Sequence, residues 1–77
     1  MTQLEQEIAL QKRARKMKEM LENDFYGAIE QIYGMTKSEE QTFALMVMAC
    51  LIAKVEIDEK VIAKRVSRVV QKWNTLN

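Results

Sequence analysis

The chain of 77 residues contains no proline and no histidine, one cysteine and two glycines. A small β-sheet protein needs turn residues about every eight to twelve positions, so their scarcity indicates an all-α protein. The lack of histidine removes the usual proton shuttle near neutral pH and the commonest metal ligand. With Cys50 as the one cysteine, disulfides and a zinc site are not expected either.

Candidate catalytic residues are few. Cys50 lies inside an uninterrupted apolar run, 43–53, with no cation beside it in sequence to ionise the thiol. The acidic pairs at 39–40 and 58–59 fall where helices are predicted to begin, and capping and the helix dipole account for them. The chain has no glycine-rich phosphate loop and no calcium-loop spacing. We therefore predict a non-enzymatic protein without metal, cofactor or small-molecule substrate.

Neither a membrane segment nor a secretory signal is indicated. The apolar run has eleven residues, whereas a membrane-spanning helix needs about 20. The first ten residues include two glutamates and no basic residue, which differs from the positive start of a secretory signal. We expect a cytoplasmic protein with no membrane partner, in which Cys50 is a reduced thiol.

A long helical stripe dominates the first half of the chain. Apolar residues recur at steps of three or four, which keeps them on one side of a helix. They are Leu10, Ala14, Met17, Leu21, Phe25, Ala28, Ile32 and Met35. The stripe predicts one helix over about 3–33, ended by Gly34. Because Asn23, Asp24 and Gly27 are weak helix formers, a break near 23–24 stays open.

Two shorter helices follow. Ser38 with Gln41, or Thr36 with Glu39, has capping-box spacing and predicts a helix over about 38–54. This helix is apolar nearly all round from residue 43 onward and should be the most enclosed element. Asp58 predicts the start of a third helix, over about 59–74. We predict a single domain, 1–77: a small three-helix bundle in which a long N-terminal helix precedes a helical hairpin, or four helices if the first one breaks.

The predicted helices differ in length, at about 46, 26 and 24 Å. A hairpin of the two short helices would cover about half of the long one and leave apolar surface exposed, which usually indicates a contact surface. A second copy of the chain is the simplest partner, because two-fold dimers are the commonest soluble oligomers. The predicted interface residues are Leu4, Ile8, Leu10, Arg13, Arg15, Lys16, Met17 and Met20.

Charge is unevenly distributed along the chain. Segment 12–18 has a net charge of +5, segment 19–59 has −7 and segment 60–77 has +5, within a net charge of +1. Such segregation creates local fields even when the total is small. The leading hypothesis is a homodimeric regulator, adaptor or inhibitor of the kind found among phage and plasmid accessory proteins. It would bind a larger, acidic protein, attracted by the basic residues of the first helix.

The alternative hypothesis is a nucleic-acid-binding regulator. The last predicted helix has a basic side opposite its apolar side, and that side would contact the phosphate backbone with weak sequence preference. The residues in question are Lys60, Lys64, Arg65, Arg68 and Lys72.

Overall fold

The structure is a computed structural model that describes residues 2–76, and within them it contains four helices and no strand. They are α1 (Gln3–Asn23), α2 (Phe25–Thr36), α3 (Glu39–Ala53) and α4 (Glu59–Leu76). The predicted all-α class is confirmed, in its four-helix form. The favoured continuous helix over 3–33 is wrong, because the helix breaks at Asp24.

The break at Asp24 is built by a cap. Asp24 leaves the helical conformation, with φ −145° and ψ 62°, while its N–H donates to the carbonyl of Met20 at 2.7 Å and closes α1. Its side-chain Oδ1 accepts a hydrogen bond of 3.1 Å from the N–H of Gly27 and opens α2. A Cβ at position 27 would collide with the Asp24 carboxylate in its present position, so a larger residue there would force the carboxylate to shift.

The helix axis turns at the break. Met17 and Ile32 would lie about 22 Å apart along a straight helix, yet both line one groove of about 280 Å³. The helices α2, α3 and α4 contact one another, and α1 contacts α2 and α3. The prediction that one long helix packs against a short helical hairpin is therefore wrong.

The remaining helix ends follow the sequence in part. Ser38 caps α3 by accepting from the N–H of Gln41 at 3.3 Å, and Asp58 accepts from the N–H of Lys60 at 2.8 Å, as predicted. Gly34 does not end α2, which continues to Thr36.

Two lysines end helices instead of glycine. Lys37 follows α2 with φ 54° and Lys54 follows α3 with φ 58°. A left-handed conformation costs a residue with a side chain roughly 1–2 kcal/mol relative to the right-handed one. Other interactions of the fold must offset this cost at both points.

The core lies between the four helices and consists mainly of aliphatic side chains. Its fully buried members are Ile29, Thr42, Met46, Ile62 and Val66. The hydroxyl of Thr42 is 2.8 Å from that of Thr36, so its polar atom is satisfied inside the core.

The molecule has more surface than its mass requires. It exposes 6034 Å², whereas a compact monomer of 9.0 kDa exposes about 4,850 Å², so the excess is about 1,200 Å². Its radius of gyration is 14.0 Å, compared with about 11.5 Å for a compact domain of this length. Most of the exposed large apolar side chains lie on α1 and α3, which carry the candidate sites described next.

Candidate protein-interaction surfaces

The first surface is the N-terminal half of α1, which has little packing. Of residues 2–13, Ala9 alone is half-buried and the others are exposed. Leu10 is 62% exposed although it belongs to the same row as Leu21, which enters the core with 3% exposure. The stripe predicted from sequence is therefore covered within the monomer only in its middle part, from Leu21 to Ile32, while Leu10 and Met35 at its ends are exposed.

The predicted interface residues of α1 do not share one side. Successive residues are about 100° apart around a helix, and on that spacing the set divides into two opposite groups. The groove face consists of Leu10, Arg13, Lys16, Met17 and Met20, and the outer group consists of Leu4, Ile8 and Arg15. A partner that lies along one side of α1 contacts one group and not both, so the predicted set is too broad for a single contact surface.

The groove face leads into an apolar groove between α1, α2 and α3. Met17 and Met20 form one wall, Ile32 lies opposite on α2, and Met46 and Ala49 contribute from α3. Methionine adapts its shape to a partner because its side chain is unbranched and flexible. The groove can therefore receive an apolar side chain from another molecule.

The second surface is on α3, where the sequence predicted the most enclosed element. That prediction is wrong for half of the helix: its large apolar side chains away from the core are 41 to 73% exposed. This α3 outer face consists of Ala44, Leu45, Met48, Leu51 and Ile52. Between positions 41 and 53 it is free of charge. Hydrophobicity indicates that a side chain avoids water, but it does not specify which molecule covers it.

The basic side of α4 is largely engaged with α2. Three of its five cations contact α2 side chains. The contacts are Arg65 above the ring of Phe25 (4.9 Å from its centroid), Arg68 Nη1 to Tyr26 OH (3.3 Å) and Lys72 Nζ to Glu30 Oε1 (3.0 Å). Lys60 and Lys64 are exposed near the start of the helix. The predicted row of five cations thus divides into three that contact α2, of which Arg68 and Lys72 stay exposed, and a pair without such contacts.

Trp73 joins the ends of α2 and α4. Its ring meets that of Tyr33 edge-to-face, with centroids 5.5 Å apart and an angle of 81° between the planes. The ammonium of Lys37 lies 4.4 Å from the Trp73 ring. The half-buried indole is held by these contacts and is not a free platform for stacking a base.

Cys50 is a core residue with 4% exposure. Burial raises the pKa of its thiol above the ordinary value, which disfavours the reactive thiolate. The residue borders a cleft of about 650 Å³ between the end of α3, the connection 54–58 and the start of α4. Within the described part of the chain, no three acidic or cysteine side chains are grouped to hold a metal ion.

No helix among residues 2–76 combines the length and the apolar character of a membrane span. Comparison with models of known protein families, with curated proteins and with solved structures finds no match. The two surfaces are therefore defined by exposure, charge and geometry.

Proposed function

We propose that the protein is a non-enzymatic helical interaction module of the cytoplasm, a homodimer that acts as a regulator, adaptor or inhibitor by binding a larger protein. The observation that supports this proposal is the excess surface of about 1,200 Å² over a compact monomer of the same mass. Large contiguous apolar surface on a folded protein usually indicates a contact with another molecule.

The energy of the exposed side chains supports the same proposal. Complete burial of a leucine, isoleucine or methionine side chain contributes about 1.5–3 kcal/mol. The four large side chains of the α3 outer face are 41 to 73% exposed, so covering them would add on the order of 3–7 kcal/mol per copy. Small domains are stable by about 5–15 kcal/mol in total. Covering this face would therefore contribute a free energy comparable to the whole stability of a small domain.

The groove face of α1 is the proposed site for the larger protein. Leu10 and Met17 would supply apolar contact, and the adjacent Arg13 and Lys16 would attract acidic groups. Both cations belong to the segment 12–18, which has a net charge of +5. A field of one sign accelerates encounter with a partner of the opposite sign. The partner chemistry that fits this face is an acidic surface with apolar side chains that enter the groove.

The matched test replaces apolar residues on opposite sides of α1. Leu10→Asp/Met17→Asp alters the groove face, and Leu4→Asp/Ile8→Asp makes the same chemical change on the outer side. Loss of binding to the larger protein with the first variant, and not with the second, is the expected result. The nucleic-acid alternative stays a prediction with less support, since three of its five cations contact α2.

A further inference from the structure

We infer that the homodimer forms through the α3 outer face, with α3 of a second copy packed antiparallel against it about a two-fold axis near Met48. This inference rests on the proposed function and names the surface through which the two copies meet. The groove face of α1 then stays free for the larger protein.

One row of residues along α3 has a charged residue at each end. Glu40, Ala44, Val47 and Leu51 follow one another at steps of three or four, which places them on one edge of the helix. Lys54 comes next along the chain, as the left-handed residue that ends α3. Val47, Leu51 and Lys54 all line the cleft beside α4, which fixes the position of that edge. The row therefore begins with an acid and ends with a base.

A two-fold antiparallel pair turns this row into a self-complementary one. The two-fold rotation places one edge of α3 beside the same edge of the partner's α3. The residues along the two edges then run in opposite directions. Glu40 then faces the partner's Lys54, and the same pairing repeats at the other end. A parallel pair would align the two acidic ends with each other, and it would also align the helix dipoles unfavourably. The charges thus select the antiparallel arrangement.

The apolar side chains are compatible with the same reversal. The centre of the α3 outer face lies at Met48, midway between Ala44 and Ile52. Reversal about this point places the small Ala44 opposite the large Leu51 of the partner subunit, on the same edge, which leaves room for interdigitation. No charged side chain is buried, because positions 41 to 53 are uncharged.

The exposed surface of the whole molecule is large enough to include a dimer interface. Each partner in a stable interface of standard size contributes about 800 Å², and the excess surface of this chain is about 1,200 Å². An acidic protein would find no cation within the α3 outer face, so the chemistry of this face favours a second copy over the larger partner.

The experiment is sedimentation equilibrium on charge-reversed variants. Glu40→Lys alone and Lys54→Glu alone each place like charges together at both ends, and we expect each to raise the dimer Kd about ten-fold. The double variant Glu40→Lys/Lys54→Glu should restore the wild-type Kd. An equal mixture of the two single variants should form heterodimers in preference to either homodimer.

Glu39→Lys is the matched control. Glu39 is also in the first turn of α3 and makes the same contribution to the helix dipole, but it lies about 100° further round the helix, away from the proposed interface. We expect its dimer Kd to stay within about three-fold of wild type. If Glu39→Lys and Glu40→Lys weaken the dimer equally, or if the mixture forms no excess of heterodimer, the antiparallel pairing is overturned.

A second pair of variants separates this inference from the proposed function. Met48→Asp/Leu51→Asp changes exposed positions, so the monomer should keep its helical circular dichroism while the dimer is lost. A dimer that persists in this variant overturns the α3 interface and leaves the proposed homodimer standing. A wild-type protein that sediments at 9.0 kDa overturns the homodimer itself.

Discussion

The N–H of Gly27 donates a hydrogen bond of 3.1 Å to the side chain of Asp24, and this bond separates two helices that the apolar periodicity joins into one. The carboxylate occupies the space that a Cβ at position 27 would fill. The direction of α1, and with it the groove between α1 and α2, depends on this pair.

Gly27→Ala is expected to destabilise the protein. Alanine is the better helix former by about 1 kcal/mol, but its Cβ would displace the Asp24 carboxylate and remove a cap worth about 0.5–2 kcal/mol. Steric strain at the α1–α2 junction adds to this loss. We expect urea unfolding to give a free energy of unfolding about 1–2 kcal/mol below wild type.

Gly34→Ala is the control for that prediction. A Cβ at position 34 would lie 3.8 Å from Cη2 of Trp73, an ordinary contact within α2. We expect this change to stabilise the protein by about 0.5–1 kcal/mol. Equal stabilisation by both substitutions would show that the cap does not hold the break.

Burial of the Cys50 thiol should make the free energy of unfolding decrease at alkaline pH. Burial raises its folded-state pKa above the ordinary value of 9.0, so the folded protein holds the thiol proton more tightly than the unfolded chain does. This contribution to stability is complete below pH 9.0 and is lost as the pH rises toward the folded-state pKa. Thermal unfolding between pH 8 and 11 measures this decrease in stability. In Cys50→Ala, the part of the decrease that comes from ionisation of the thiol should be absent.

Thiol labelling provides an independent readout of the same burial. A disulfide reagent at pH 8 should modify Cys50 slowly in the native protein and rapidly in urea, because the native thiol reacts only when the core opens. Labelling at equal rates in both conditions would contradict the placement of Cys50 in the core.

Leu10→Asp/Met17→Asp should abolish binding of the larger protein while helicity survives. Leu10 is 62% exposed and its replacement costs the folded monomer little, whereas Met17 is 36% exposed and lines the groove, so its replacement lowers stability without removing a core residue. The measurement compares proteins retained from an extract of the native cell by this variant, by wild type and by Leu4→Asp/Ile8→Asp. A partner retained equally by all three would place its site away from the groove face.

Nucleic acid should not be retained by the wild-type protein. The account predicts no shift of labelled duplex DNA or RNA at micromolar protein in low salt. The alternative predicts a shift whose salt dependence flattens by about one to two units when Lys64 and Arg68 are neutralised. Lys60→Gln/Lys64→Gln tests the exposed pair separately, because these two cations are outside the α2 contacts.

The sequence was sufficient for the parts of the fold that depend on periodicity and local caps. The helical class, the caps at Ser38 and Asp58 and the burial of Ile62 and Val66 all follow from local patterns. The break at Asp24 was only an option, because apolar spacing continues through it without a change of phase. It depends on the hydrogen bond from the backbone N–H of Gly27 to the side chain of Asp24.

The candidate surfaces were harder to predict. Leu45, Met48 and Ile52 are as apolar as core residues, and composition does not reveal that three other helices cover only half of α3. Leu4 and Leu10 likewise belong to apolar rows on opposite sides of α1, a distinction that matters only once α2 and α3 are in place. Exposure is a property of the packed fold, whereas apolar spacing is a property of one helix.

The most direct measurement is the mass of the wild-type protein in solution as a function of concentration, by sedimentation equilibrium. The account predicts a reversible transition from 9.0 kDa to twice that mass as the concentration rises. It also predicts that Met48→Asp/Leu51→Asp stays at the lower mass throughout. A wild-type protein that remains at 9.0 kDa at millimolar concentration would contradict the central claim that the exposed apolar surface of α3 is covered by a second copy.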